Sequence, residues 1–474
     1  MHSIFLIEFD PNYLNIKDLI VTPFWIMVVY IFAFAYRNVA YKADNPIRRY
    51  FIPALTIKLL GSLAVVYVYT FIYHGYDTYN YFDDSRVLWR CFQDNYFKAF
   101  SIIWNPAIVH QPETYDWTRQ MLFFRDPSSF MVDKIAGVIS FYTFHTFTSV
   151  SIFFGVLSFS GVWAMFRLFT KLYPDVTRQL AFAILFIPSV IFWGSGLLKD
   201  TITFGALGWL VFSSYNLFIK PKKVLSNALV FFISSYFIIT IKPYIVFCYY
   251  PALVFWIFFS FRERFKSEIF KKILAPFLVI ITIGAGYAIV QQLGKEIAKY
   301  SVTEALTTAQ SFQTYHTYLG QAEGASAYSL GAYDPSFWGI LTKFPAAVNV
   351  TLFRPYPWEA HNFLMLVSSI ESAVQFIFLL YIMRRSGIFR TIRVSFSNPD
   401  AFFCFFFSIF FAFAVGFTAY NFGALVRYKI PCIPFFIVGL ILLNRQAHID
   451  KVKHDARIKH KGLLIPDKPQ AAPA

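Results

Sequence analysis

Residues 384–445 read RRSGIFRTIRVSFSNPDAFFCFFFSIFFAFAVGFTAYNFGALVRYKIPCIPFFIVGLILLNR, and their charge pattern decides the fold class. A basic cluster, Arg384, Arg385, Arg390 and Arg393, precedes an apolar run that starts at Ala401 and meets no charged residue before Arg427. A short polar turn leads into a second apolar run near Ile430, which closes on Arg445. Roughly 20 apolar residues make a helix long enough to cross the hydrocarbon core of a bilayer. There every backbone N–H and C=O must be paired within the segment, so a helix is the expected form. The stretch therefore predicts two crossing helices, with basic residues at one side of the bilayer and a tight turn at the other.

The same alternation extends over the whole chain. About eleven apolar segments of spanning length start near Leu19, Phe51, Ser149, Gln179, Thr201, Val224, Tyr244, Ile273, Asn362, Ala401 and Ile430. Every second connection is basic: Arg37, Lys42, Arg48 and Arg49; Lys171 and Arg178; Lys220, Lys222 and Lys223; Arg262, Arg264, Lys266, Lys271 and Lys272; Arg384 to Arg393; and the tail from Arg445. The positive-inside rule assigns these to the cytoplasm, which puts the N-terminus outside and the tail inside. The N-terminus lacks a basic n-region and a small-residue cleavage site, and is read as retained. The expectation is an all-α polytopic membrane protein. Residues 1–445 form one transmembrane domain, and 446–474 form a basic cytoplasmic tail, disordered after Leu464.

Composition agrees. Of 474 residues 57% are hydrophobic and 14% charged, with 60 Phe and 30 Tyr, whereas soluble domains carry roughly 25% charged residues. The net charge of +16 sits in short loops, where it serves topology and anionic lipid rather than nucleic acid. Cys91, Cys248, Cys404 and Cys432 have no disulfide or zinc spacing. No P-loop, dinucleotide fingerprint or nucleophile elbow is present.

The non-basic side is expected to carry two long loops, roughly 74–148 and 294–361, and short turns around Lys199, Lys242 and Arg427. Long loops of this kind are uncommon unless functional. The aromatic stretch YDWTRQMLFF (115–124) suits interfacial helices. The small-residue stretch GQAEGASAYSLGAYD (320–334) reads as a mobile loop.

Chemistry-capable residues gather on that side. HGYDTYNYFDDSR (74–86) holds Asp77, Asp83 and Asp84. Clustered carboxylates raise one another's pKa, and one could act as a general base. Their oxygens would also accept a divalent cation. Helix capping is the plainer role. In PSVIFWGSGLLKDTITFG (188–205), Lys199 is a phosphate contact or a snorkelling side chain, and Asp200 contributes to that site or caps the next helix. In TLFRPYPWEAHN (351–362), Arg354 offers a fork to phosphate, with Glu359 and His361 beside it, or else belongs to an interfacial aromatic belt. In AYNFGALVRYKIPCIPF (419–435), Arg427 and Lys429 carry positive charge that topology does not explain, and Lys242 in IKPY repeats the pattern. The histidines lack metal-ligand spacing and read as loop or interface residues.

Acids and bases on one side of the bilayer, served by separate loops, suit a donor that the membrane delivers. A lipid-linked phosphate brings its own leaving group, which cations would neutralise while a carboxylate activates an acceptor hydroxyl.

GYDTYNYF (75–82) resembles the acidic first-loop signature of GT-C-type glycosyltransferases and bacterial polysaccharide polymerases. FWGSGLLKD (192–200) and NFGALVRYKIPCIPF (421–435) resemble later signatures of the same broad group. The resemblance covers scattered motifs. It implies sugar transfer from a polyprenyl-linked saccharide to a glycan acceptor at the bacterial inner membrane, in envelope polysaccharide assembly. It would give Asp77 the activating role and put Lys199, Arg354 and Arg427 near the donor phosphate. The acidic segment follows the second span here rather than the first, which leaves transferase and polymerase both open. A flippase for a lipid-linked saccharide is the alternative from another class. Inverted repeats and mid-membrane charges would mark it, and the sequence shows no repeat. A structural subunit of a membrane complex is the third reading.

Overall fold

Apolar periodicity yields helices throughout the part of the chain that the computed structural model describes: residues 13–105, 109–262, 284, 328–331 and 337–463, without the side chains of 337, 451 and 453–463. In order these are α1 (Ile16–Ala40), α2 (Arg48–Phe71), α3 (Asp77–Asp94), α4 (Tyr96–Ile103), α5 (Tyr115–Thr118), α6 (Pro127–Thr143) and α7 (Phe147–Leu172). Next come α8 (Thr177–Leu185), α9 (Pro188–Trp193), α10 (Lys199–Ser214), α11 (Val224–Ile241) and α12 (Pro243–Phe261). The last group is α13 (Phe337–Thr342), α14 (Phe344–Phe353), α15 (Phe363–Ser386), α16 (Ile388–Ser397), α17 (Pro399–Thr418), α18 (Phe422–Tyr428) and α19 (Ile433–Leu463).

Eight of the described helices are long and apolar enough to cross a membrane: α1, α2, α7, α10 with its π-helical end Tyr215–Ile219, α11, α12, α15 and α17. A ninth crossing is available if α18 and α19, bent by 62°, count as one. Eleven were expected over the whole chain; eight or nine are seen among the described residues. The segment near Gln179 is two short helices, because Pro188 cannot donate to a continuing ladder and Ile187 before it is extended. Even so, α8–α9 joins the two ends of the bundle: Asp175 just before it accepts from Arg445, and Trp193 at its finish lies under Arg427. The segment near Ile273 lies outside the described residues. The small-residue stretch 320–334 also lies outside them, except at 328–331. The tail beyond Arg445 continues as α19 to Leu463.

The core is built on α7 and α10, whose facing surfaces are small. A Cβ added to Gly161 would stand 1.8 Å from the carbonyl oxygen of Gly205, so only glycine permits this backbone approach. In contrast, α1, α11 and α15 turn mostly apolar, unburied faces outward, where lipid completes their packing.

The expected loop 74–148, read as carrying interfacial helices, is mostly helical among its described residues. α3 packs along α6, and Leu88, Phe92, Phe124 and Phe130 bury themselves between them. Each such side chain contributes roughly 1.5–3 kcal/mol when fully buried. Asp84 ties the return segment down: its two carboxylate oxygens accept from Leu122 N at 2.8 Å and Phe123 N at 2.7 Å. The pairing of α3 with α6 was not legible in the sequence. The pattern of α3 is set by a partner helix rather than by lipid, so hydropathy does not report it.

Candidate functional site

Several helix ends meet at one end of the bundle. They are the end of α2, the starts of α3, α6 and α10, the α11–α12 corner, the end of α17, and α18. Gly75, with φ +138°, lies in the turn between α2 and α3, a conformation only glycine adopts freely. Asn421 caps α18, its side chain accepting from Gly423 N at 2.6 Å. Between these ends lies a cavity of about 770 Å³. Its wall includes Asp77, Ser128, Lys199, Lys242 and Arg427, with the rings of Tyr69, Tyr73, Tyr76, Trp193, Tyr244 and Tyr428.

A buried ion-pair network sits at its base. Arg427 Nε donates to Asp200 Oδ2 at 2.6 Å, and Arg427 Nη1 donates to Asp77 Oδ2 at 3.1 Å. Lys242 Nζ donates to the other oxygen of Asp200 at 2.5 Å. Asp200 is 1% exposed, Arg427 14% and Asp77 48%. A carboxylate buried this deeply keeps its charge only through such charge-assisted bonds. Asp200 does not cap α10, whose N-cap Leu198 makes no side-chain cap. Its side chain serves Arg427 and Lys242 instead.

Lys199 reaches the other wall. Its Nζ donates to Ser128 Oγ at 2.6 Å and pairs with Asp126 at 3.5 Å. Burial alone would raise the Asp126 pKa, but donors Ser129 and Ser128 and the charge of Lys199 hold the carboxyl below its ordinary value. Asp126 was not singled out by sequence, since a lone Asp ahead of Pro127 reads as an N-cap, which it also is. Lys199, Lys242 and Arg427 thus face Asp77, Asp126 and Asp200, equal numbers of opposite formal charge.

The other candidates go elsewhere. Asp83 accepts from Tyr13 Oη at 2.7 Å and pairs with Arg86 at 3.3 Å. Asp84 is the buried clamp described above, which corrects its reading as a base. Beside it Asp133 is fully buried, and neither of its oxygens meets an N–H or O–H donor among the described residues. Burial first, and then the charge of Asp84, push the Asp133 pKa well up. Arg354 is closed by Glu359, which accepts from its Nη2 and from its Nε, the latter at 3.0 Å. Neither lines the cavity. Lys429 is 1% exposed, and its Nζ donates to Arg354 O at 2.9 Å and Ser372 Oγ at 2.8 Å. It braces a turn rather than snorkelling or facing a ligand. His145 stacks on Phe82 at 3.9 Å, and burial with Arg86 and Arg90 nearby pushes its pKa down to about 3.

A second cavity, about 700 Å³, lies by His110, Tyr115 and Arg125, with no carboxylate in its wall. Among the described residues no group of three or more His, Cys, Asp or Glu could hold a metal ion. Of these two cavities, the first joins an accessible carboxylate, buried cations and aromatic faces. Compared with protein-family models, curated proteins and solved structures, the chain matches none.

Proposed function

We propose that this chain is an integral membrane glycosyltransferase that moves a sugar from a polyprenyl phosphate or pyrophosphate to a glycan hydroxyl, at the extracytoplasmic face of a bacterial inner membrane. The observation that carries the reading is Asp77. It is a half-exposed carboxylate on the rim of a cavity whose base holds Arg427 and Lys242 and whose wall holds Lys199. Cations fixed in a poorly solvated site stabilise charge that develops on a leaving phosphate. Tyrosine and tryptophan faces suit the apolar faces of a sugar and the first units of a lipid chain. In the transfer, the acceptor oxygen forms its bond to the sugar C1 as the C1–O bond to phosphate breaks. The bonding electron pair leaves with the phosphate oxygen towards Arg427 and Lys199, and the acceptor proton passes to Asp77. A polymerase is the variant of this reaction in which the moved saccharide is itself a growing glycan.

The test is transfer from a polyprenyl-linked saccharide by protein purified into nanodiscs. Asp77→Asn should fold but lose roughly 10²–10⁴-fold in rate, the usual share of a general base. Near-normal turnover in that variant would remove Asp77 as the base. A wild-type protein that performs no transfer but carries the saccharide across the bilayer would replace the reading with a flippase.

A further inference from the structure

Arg427 holds two carboxylates of very different standing. Asp200 is buried, is held at 2.6 Å, and has Lys242 on its second oxygen. Asp77 is half exposed and is held by one N–H at 3.1 Å. Removing Asp200 from Arg427 would strand a buried charge, which is costly, whereas Asp77 can turn to water. The weaker contact is therefore the one an incoming anion can displace.

The charges of the site point the same way. With Asp77, Asp126 and Asp200 set against Lys199, Lys242 and Arg427, the empty cavity has no formal surplus of positive charge. A guanidinium offers a carboxylate and a phosphate the same N–H fork. Once Asp77 swings out, the cavity gains one positive charge and a free guanidinium edge, which a phosphate oxygen can take.

We propose that the Asp77 carboxylate is an internal competitor, occupying on Arg427 the place that the substrate's phosphate takes. The inference rests on the reading of this cavity as a phosphate site and adds its regulation. While the cavity is empty, Asp77 Oδ2 is held by Arg427 Nη1 and is turned away from an acceptor hydroxyl. Phosphate binding expels it from the ion pair and frees it to accept a proton, so the base is armed only when a donor is present. Asp77 is then both the proton acceptor and the gate on it.

The competition has an outcome that neither a simple base nor a structural residue produces. Removing the carboxylate charge should tighten phosphate binding. Farnesyl monophosphate is the probe, with farnesol and inorganic phosphate as controls, titrated into full-length wild type, Asp77→Asn and Arg427→Lys in nanodiscs, with affinity read by calorimetry. Asp77→Asn should bind farnesyl monophosphate roughly three- to tenfold more tightly than wild type, the worth of a partly exposed ion pair. Farnesol should show no such gain, and inorganic phosphate should show it if the headgroup alone is recognised. Arg427→Lys, which keeps the charge but loses the fork, should bind more weakly. Equal or weaker binding by Asp77→Asn would overturn the competition and leave the phosphate site standing. No saturable binding of any phosphate to wild type or Asp77→Asn would overturn the site itself and the proposed function with it.

Discussion

Gly208 on α10 faces the carbonyl oxygen of Gly161 on α7 so closely that an added Cβ would lie 2.2 Å from it. Ser158 and Gly205 continue the same seam, with a Cβ on Gly205 2.7 Å from the Ser158 Cα. Between helices that lipid cannot push together, close packing of backbones is a main source of attraction. These contacts are with main chain and cannot yield by a rotamer change. Gly208→Ala should therefore cost about 1–3 kcal/mol, as overpacking does, and Gly208→Leu more. Thermal unfolding in detergent checks it. Unchanged stability in Gly208→Leu would show that α7 and α10 are not in this register.

Asp200 and Lys199 are neighbours in sequence with opposite duties. Asp200→Ala leaves Arg427 and Lys242 buried without their shared anion, and should destabilise by roughly 3–5 kcal/mol. Lys199→Ala gives up a partly exposed bond to Ser128 and should cost under about 1 kcal/mol of stability. It should, however, raise the KM for a phosphate-bearing donor about tenfold, a loss of about 1.4 kcal/mol. Paired stability and KM measurements separate the two. A Lys199→Ala protein with wild-type KM would take Lys199 out of the site.

The buried carboxyls Asp84 and Asp133 should make the α3–α6 cap sensitive to pH. Folding raises both pKa values, chiefly through burial. The folded state therefore holds a proton that the unfolded chain has lost. That contribution is complete below the ordinary carboxyl pKa of about 4 and drains away as pH rises through the folded values. Asp133→Asn keeps the shape and an N–H donor for Asp84 without titrating. Its unfolding temperature should fall less than that of wild type as pH rises from acid towards neutral. Parallel curves for the two proteins would mean that Asp133 takes up no proton on folding.

Much of this architecture was legible before any coordinates. Runs such as 401–416 are too apolar for any other solvent, and they form α17. Lys199, Lys242 and Arg427 stood out because they lie away from the basic loops, so topology did not account for them. What sequence could not supply was each partner. Ser128 stands 71 residues from Lys199, and Asp77 stands 350 from Arg427. Arg354 carried the same local signature as Arg427, yet Glu359, five residues on, closes upon it. Spacing cannot distinguish a cation that meets a distant carboxylate across a cavity from one neutralised by its own turn. Asp84 and Asp133 were obscured for a related reason. Capping and clamping use the same residue type, and only the packed cap shows which backbone N–H groups Asp84 meets.

The equality of opposite charges around the cavity bears on how a ligand arrives. A site with a surplus of one sign casts a field that draws counter-ions in from solution and makes capture fall steeply with ionic strength. Here the fields of Lys199, Lys242 and Arg427 largely cancel against those of Asp77, Asp126 and Asp200 within a few ångströms, well inside the Debye length of about 8 Å at physiological salt. Capture is then governed by what a molecule meets at close range, not by long-range steering. A ligand already confined to the bilayer plane searches two dimensions and needs no such attraction. Its encounter rate should be nearly indifferent to salt.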